Sequence, residues 1–241
     1  MKEQPQISML GERSILLQWS WDFSEENLYW LLEVRRFIEN KLIKSKVEII
    51  NAYNSILVVY ASTINVVYDD FIVLKSTDFS TIKNEEAKSR LYNIPVCYDA
   101  HFALDIDFLS EQNKLSKREI INLHTAPEYI LYFMGFLPGF LYLGGMHKKL
   151  SVPRKNEPRL KIEKGAVGIA ENQTGIYPKS SPGGWQIIGN CPLNFFDPNA
   201  ENPSPFSAGD RIKFYEVDKE EYDEISELVK SGKHTLKSEI K

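Results

Sequence analysis

Cysteine is scarce in this 241-residue chain, with only Cys97 and Cys191, far apart in sequence. No C-x-x-C pair occurs, so neither a zinc site nor a redox dithiol is indicated. No secretory signal precedes the domain, because residues 1–10 lack both a basic region and an apolar core; no disulfide is expected, and the cytoplasm is the expected location. Histidine is also rare: His101, His124, His147 and His234 show no H-x-x-x-H spacing, so no metal site is expected. No run approaches the ~18 apolar residues that a membrane span needs. There is no surplus of positive charge either. A net charge of −4 and a pI near 5.7 argue against a general binder of nucleic acid or anionic membrane.

Several motifs are absent. No G-x-S-x-G elbow and no G-x-G-x-x-G turn occurs. Ser231-Gly-Lys-His-Thr235 superficially resembles a phosphate loop. However, Glu227 stands where the first Gly belongs, and His234 where the Ser or Thr belongs. The segment reads as a helix C-cap, so no Walker-type ATP site is expected. No internal repeat or low-complexity tract is present.

What remains is an ordinary globular composition, 43% apolar and 26% charged, long enough to bury a core without disulfides. Gln6–Leu10 and Ser14–Trp19 read as two strands around Gly11-Glu12-Arg13. Ser24 is an N-cap signal with Glu25 and Glu26 behind it. Leu28, Leu31, Leu32, Ile38 and Leu42 then follow at helical spacing, so 24–43 reads as a helix lying on a sheet. Val47–Ala52 and Ser55–Ala61 read as a hairpin, and Val66–Leu74 as a second helix. Thr77–Arg90 is polar and aperiodic, the best linker. Leu91–Tyr98 reads as a strand, and Ser116-Lys-Arg-Glu119 as a capping box opening a helix that runs to about His124. Arg211–Val217 closes the strand-rich part. Asp218 with Glu221 caps a last helix, Lys219–Lys230, stopping at Gly232, and His234–Lys241 is expected to fray. The whole is an α+β protein: a small N-terminal α/β sandwich over 1–80, a linker over 81–90, a barrel or sandwich over 91–217, and a helix and tail over 218–241.

The chain is organised around Glu128–Gly189, where Gly and Pro punctuate short apolar runs. Such text specifies strands joined by shaped turns, a rigid way to present side chains around a cleft. Phe133–Gly145, reading F-M-G-F-L-P-G-F-L-Y-L-G-G, resembles the signature of the KipI/PxpB family, also labelled allophanate hydrolase subunit 1. Pro153-Arg154 and Pro158-Arg159, Gln173-Thr-Gly-Ile-Tyr-Pro178 and Ser181-Pro-Gly-Gly-Trp-Gln186 are similar to its later blocks, in order. The likeness runs from about Ile94 to Phe214, and it is weak in the N-terminal part. Glu171 stands where the family usually has Gly, and Cys191 where it has Thr. The resemblance implies a cyclophilin-like closed β-barrel for 91–217.

No catalytic residue can be assigned. Arg154 and Arg159 are the best polar candidates, because a guanidinium fork suits a carboxylate or phosphate and the prolines beside them stiffen the segment. From spacing alone, an exposed loop whose arginines only solvate it is equally good; the two family Pro-Arg pairs favour substrate binding. Gln173 and Thr174 offer amide and hydroxyl bonds. The resemblance places a His at His124, which is either an acid/base or donor group, or a helix-end His that favours the dipole; the second reading has the larger share. Phe136, Pro138, Phe140, Tyr142, Tyr177 and Trp185 are groove-lining candidates. Core packing is the stronger reading for at least half of the aromatics, whereas Phe136 and Phe140 bracket a turn where exposure is expected.

The resemblance implies a non-autonomous subunit of an ATP-dependent 5-oxoprolinase, opening 5-oxo-L-proline to L-glutamate with PxpA-like and PxpC/KipA-like partners. No cofactor is expected on this chain; ATP would be used by the complex at a site this chain does not form alone. The alternative it carries is a KipI-type protein that binds a sensor histidine kinase and blocks its autophosphorylation.

Overall fold

The structure is a computed structural model, and it describes residues 3–22, 24–42, 47–61, 65–83 and 89–241. It divides into two compact units, Met1–Ala87 and Lys88–Lys241.

The first unit is a four-stranded antiparallel sheet with helices on one face. Its strands are β1 (Gln6–Met9), β2 (Ser14–Gln18), β3 (Val47–Asn51) and β4 (Ser55–Tyr60), in the order β1-β2-β4-β3. Helix α1 (Glu25–Phe37) packs on β3 and β4, and α2 (Asn65–Ser76) on β1 and β2. The helix over 24–43 expected from periodicity changes character at Ile38, where Ile38–Leu42 form a π-helical turn; Ile43 lies outside the described residues. Ser24 caps α1 by accepting from the Asn27 N–H. Alternate residues Ile15, Leu17, Ile56 and Val58 face the helices and are buried with Trp30, Leu31 and Val34. Two indoles buried in this core donate to backbone carbonyls, Trp19 to Glu3 and Trp30 to Ile82. The expected linker runs from Thr81, which ends a 3₁₀ turn, to Arg90, which opens a strand; 84–88 lie outside the described residues.

The second unit is a closed barrel. Its strands are β5 (Arg90–Cys97), β6 (Glu128–Met134), β7 (Leu141–Gly144), β8 (Arg159–Ile162), β9 (Ala166–Ala170), β10 (Gln173–Ile176), β11 (Ser181–Gly183), β12 (Gln186–Asn190), β13 (Arg211–Val217) and β14 (Ser238–Ile240). Seven of them run in the order β12-β9-β10-β7-β6-β13-β5, and the Asn190–Cys97 bridge returns β12 to β5. β8 and β11 form a separate two-stranded antiparallel sheet, with β9 and β10 between them in the chain. Helices α3 (Ile106–Asn113), α4 (Lys117–Thr125) and α5 (Lys219–Lys230) complete the unit. Ser116 and Glu119 make the capping box that starts α4. Gly232, at φ +68, ends α5, with Lys233 N–H donating to Leu228 O and Gly232 N–H to Val229 O. That paired bond pattern is a helix C-cap and not a phosphate loop.

Two expectations need correction. His234–Lys241 do not fray: β14 pairs antiparallel with β5, and Lys241 closes the pairing with N–H to Ser89 O and an ion pair to Glu128. Helix α3 was not expected from the sequence at all. Both cysteines are buried and free, and burial pushes the Cys191 thiol up to about 12.

Candidate functional site

The turn between β6 and β7 decides which aromatic faces water. Leu137 N–H donates to Gly135 O at 2.8 Å across Phe136, whose φ is +66. This is a γ-turn with a left-handed central residue, a costly conformation for a bulky side chain. Phe140 N–H then donates to Leu137 O at 3.0 Å, with Pro138 second and Gly139, at φ +83, third in the turn. Proline at the second position and glycine at the third suit a type II turn. A Cβ on Gly139 would also lie 2.7 Å from the Phe196 Cβ. The double turn sends Phe136 outward, 62% exposed, and Phe140 inward, 1% exposed. Phe140 therefore does not share the exposure expected of its turn.

Strand alternation puts Phe140, Tyr142, Tyr177 and Trp185 on the outer face of the barrel wall, away from the lumen. They interlock: Phe140 lies 4.8 Å from Tyr142, 5.0 Å from Tyr177 and 5.4 Å from Trp185, centroid to centroid. Phe136 meets the outer edge of Phe140 at 5.8 Å. Ile162 of the β8–β11 pair packs into the same cluster. The pair approaches closely because Gly183 has no side chain; a Cβ there would lie 2.4 Å from the Tyr177 hydroxyl. Burial raises the Tyr177 hydroxyl pKa to about 12, so it is a neutral hydrogen-bonding group.

The Pro153–Arg159 segment borders this face and treats its two arginines differently. Arg159 is committed within the protein: Nη1 and Nη2 each donate to an Asp105 carboxylate oxygen at 2.7 Å. Asp105 is 5% exposed, and it also accepts from the Ile187 N–H at 2.7 Å and from Lys155 Nζ at 3.3 Å. Burial alone would raise its pKa, but the Arg159 fork, the Ile187 amide and the neighbouring cations outweigh it and hold the carboxyl below the usual range. Arg154 has no carboxylate partner among the described residues. Its guanidinium carbon sits 6.0 Å from the Trp185 ring centroid, a cation–π arrangement that leaves its donors uncommitted.

His124 and Thr174 belong to the barrel interior. Tyr98 donates to His124 Nδ1 at 2.7 Å, His124 Nε2 lies 3.0 Å from Thr174 Oγ1, and Thr174 donates to Gly168 O at 2.9 Å. The chain of donors places the imidazole proton on Nε2. Burial pushes the His124 pKa down to about 3, so the ring is neutral. Neither reading of His124 survives: it is closed off from substrate, and it carries no charge with which to favour a helix dipole. It is a satisfied core histidine.

The sequence candidates thus fall into separate places. Arg154, Phe136, Phe140, Tyr142, Tyr177 and Trp185 come together on the outer aromatic face, with Pro138 exposed at the tip of its turn. Gln173 is half-buried at the start of β10, on the face that carries Gly175 and Tyr177. His124 and Thr174 are elsewhere, inside the barrel. Asp105 was missed because its partner Arg159 is 54 residues away in the chain. No group of three or more His, Cys, Asp or Glu among the described residues can hold a metal ion. No helix among them is long and apolar enough to cross a membrane.

Fold and site together define a two-unit α+β protein in which Arg154 and Gln173 stand on the outer wall of a closed barrel and His124 and Thr174 inside it. Residues 5–206 match the family described as carboxyltransferase domain, subdomain C and D, and the chain belongs to it. It is 36% identical over 229 residues to the B-type component of the 5-oxoprolinase of Bacillus subtilis, covering 90% of this chain and 95% of that one. Among solved structures it matches TTHA0988 with a TM-score of 0.72 and 29% identity, over 86% of this chain and 40% of that one. It also matches the K. lactis urea amidolyase with a TM-score of 0.81 and 20% identity, over 99% of this chain and 16% of that one. The chain spans less than half the length of those two proteins, and the amidolyase likeness speaks for the fold alone.

Proposed function

We propose that this chain is a subunit of an ATP-dependent 5-oxoprolinase and that it holds the substrate while partner subunits complete the site. The reading rests on one observation, supported by the likeness to the B-type 5-oxoprolinase component. Arg154 is a guanidinium without a carboxylate among the described residues, set over Trp185 at the edge of a rigid aromatic face. A planar fork of that kind suits the carboxylate of 5-oxo-L-proline. Gln173, on the same face, is the amide candidate.

The reaction explains why such a subunit needs partners. The lactam is a stable amide. Transfer of the ATP γ-phosphoryl group to its carbonyl oxygen makes the ring carbon electrophilic. Water adds to that carbon, and the C–N bond breaks as nitrogen gains a proton, leaving an acyl phosphate; a second water attacks this carbon and displaces inorganic phosphate to give glutamate. This chain supplies binding and orientation, which lower the entropy cost of the reaction; PxpA-like and PxpC-like subunits supply the rest.

The test mixes this chain with its PxpA- and PxpC-like candidates and follows ADP and glutamate release that depends on 5-oxoproline, omitting each chain in turn. Loss of both products without this chain is the expected result. A folded, complete mixture that makes neither product removes the assignment, and binding to a histidine-kinase stalk becomes the reading to examine.

A further inference from the structure

Asp105 stands at the N-cap position of α3, where an aspartate ordinarily accepts from the first backbone N–H groups of its own helix. Here the side chain makes no capping bond. It turns away and gathers four donors from outside the helix: both terminal nitrogens of Arg159, Nζ of Lys155 and the N–H of Ile187. Asp105 N–H also donates to Ile187 O at 2.8 Å, so backbone and side chain together fix the residue to β12 at one point.

The two side chains it grips, Lys155 and Arg159, both follow Arg154 in the chain. Lys155 is the next residue, and its own N–H donates to Gly184 O at 2.7 Å. On the other side, Pro153 O accepts from Gln186 Nε2 at 3.1 Å. Arg154 is therefore held on both sides by residues tied to the Gly184–Ile187 stretch, which includes Trp185. Its own guanidinium is left without an acidic partner among the described residues. Two of the three cations in the segment are assigned to one buried carboxylate, and the third is left for a ligand.

We propose that Asp105 is a positioning residue that fixes the Pro153–Arg159 segment so that Arg154 presents its fork to a carboxylate ligand. The proposal rests on the substrate reading of Arg154. It assigns Arg159 and Lys155 the role of anchors, not of ligands to the substrate. It also makes Asp105 a determinant of selectivity. With Asp105 in place the segment offers one guanidinium, suited to a monocarboxylate. Without it, Arg159 and Lys155 are freed, and the segment suits multiply charged anions such as inorganic phosphate.

The experiment has two readouts. The first is the order of the Arg154 side chain in the full chain, from ¹⁵N relaxation of its Nε–Hε group, assigned by its loss in Arg154→Lys. The second is steady-state kinetics with 5-oxo-L-proline in the reconstituted complex, with phosphate as competitor. Asp105→Asn is expected to mobilise Arg154, raise KM by about 5–20-fold with kcat within about twofold, and tighten phosphate inhibition. Lys155→Met, at a partly exposed position, is expected to show a smaller loss of order and a KM rise of about 3-fold; Lys155→Arg is expected to restore both. If Asp105→Asn does not fold, the Lys155 pair decides. Arg154 as ordered in the variants as in the parent chain overturns the proposal, whatever the kinetics. If Arg154 order depends on Asp105 but the complex turns over no 5-oxoproline, positioning stands and the substrate reading falls.

Discussion

His124 Nε2 meets Thr174 Oγ1 at 3.0 Å in the closed interior of the barrel, with Tyr98 completing the ring's other bond. Fifty residues separate the pair in the chain, and their contact ties α4 to β10. The network is fully buried, and every member has a partner, the condition under which a polar core specifies one arrangement.

A pH dependence of stability follows. The native ring resists protonation down to about 3, whereas an exposed histidine in the unfolded chain protonates near 6.5. Below about 6.5 the unfolded state binds a proton that the native state does not, so stability falls as pH falls through that window, by up to about 1.4 kcal/mol per pH unit. Asp105, with its lowered pKa, contributes stability that is lost only at lower pH, as its own carboxyl protonates. Chemical denaturation of the parent chain and of His124→Gln between pH 4.5 and 7 separates the two. The difference between the variants should shrink steadily on acidification; a constant difference refutes the assignment of the slope to His124.

Arg159→Ala probes the ion pair independently of any ligand. It leaves the Asp105 carboxylate buried with one amide and a more distant lysine. Removing one partner of such a pair costs about 3 kcal/mol. A loss below about 1 kcal/mol in urea unfolding would show that solvent already screens the pair.

Glu171, like Lys114 and Phe136, is a non-glycine residue with positive φ, here +54. Its N–H donates to Val152 O at 2.6 Å, which holds the turn between β9 and β10 in place. The left-handed conformation costs a side-chain-bearing residue roughly 1–2 kcal/mol, against roughly 0.5–1 kcal/mol of extra chain entropy for glycine. Glu171→Gly should therefore stabilise the protein by about 0.5 kcal/mol, raising Tm without changing ligand binding. A lower Tm would mean that the glutamate side chain contributes a contact of its own.

How far the sequence reached follows from the range of each interaction. Ser24, Ser116 with Glu119, Asp218 and Gly232 act within a few residues of themselves, and all four helix signals were legible. Leu137-Pro-Gly-Phe140 spelled its turn in the same way. Helix α3 was not legible, because it is only eight residues long and buries just Ile106 and Leu109, too few to show a helical period. β14 was not legible because Ser238-Glu-Ile240 is exposed along its length and is held by backbone pairing to β5, which leaves no periodic trace. The aromatic face was legible as a cluster of residue types but not as a layer, since the side on which Phe140 packs depends on the γ-turn at Phe136. Arg154 and Arg159 look equivalent in the chain, each following a proline. Only the position of Asp105 separates them.

The tail offers a direct check on that reading. Deleting 237–241 removes the β14 pairing and the Lys241–Glu128 ion pair, and leaves the β5 edge open. The exposed ion pair adds little, so a stability loss of about 1–2 kcal/mol is expected from the backbone bonds, with a greater tendency to associate through the bared edge. Unchanged stability and solution behaviour would show that the strand adds nothing to the barrel.

The distinction between the two arginines yields the sharpest kinetic expectation. Arg154→Lys keeps the positive charge over Trp185 but replaces a two-pronged planar donor with a point charge. A hydrogen bond to a charged group contributes about 1.5–3 kcal/mol, so kcat/KM for 5-oxo-L-proline in the reconstituted complex should fall by about 10–100-fold. Stability should hold, because Arg154 is exposed and makes no ion pair among the described residues. Arg159→Lys should show the opposite balance: stability falls as the fork to Asp105 is lost, and kcat changes little. A common profile for the two substitutions, with activity lost only in step with folding, would place both arginines in the framework and move the substrate carboxylate to another group.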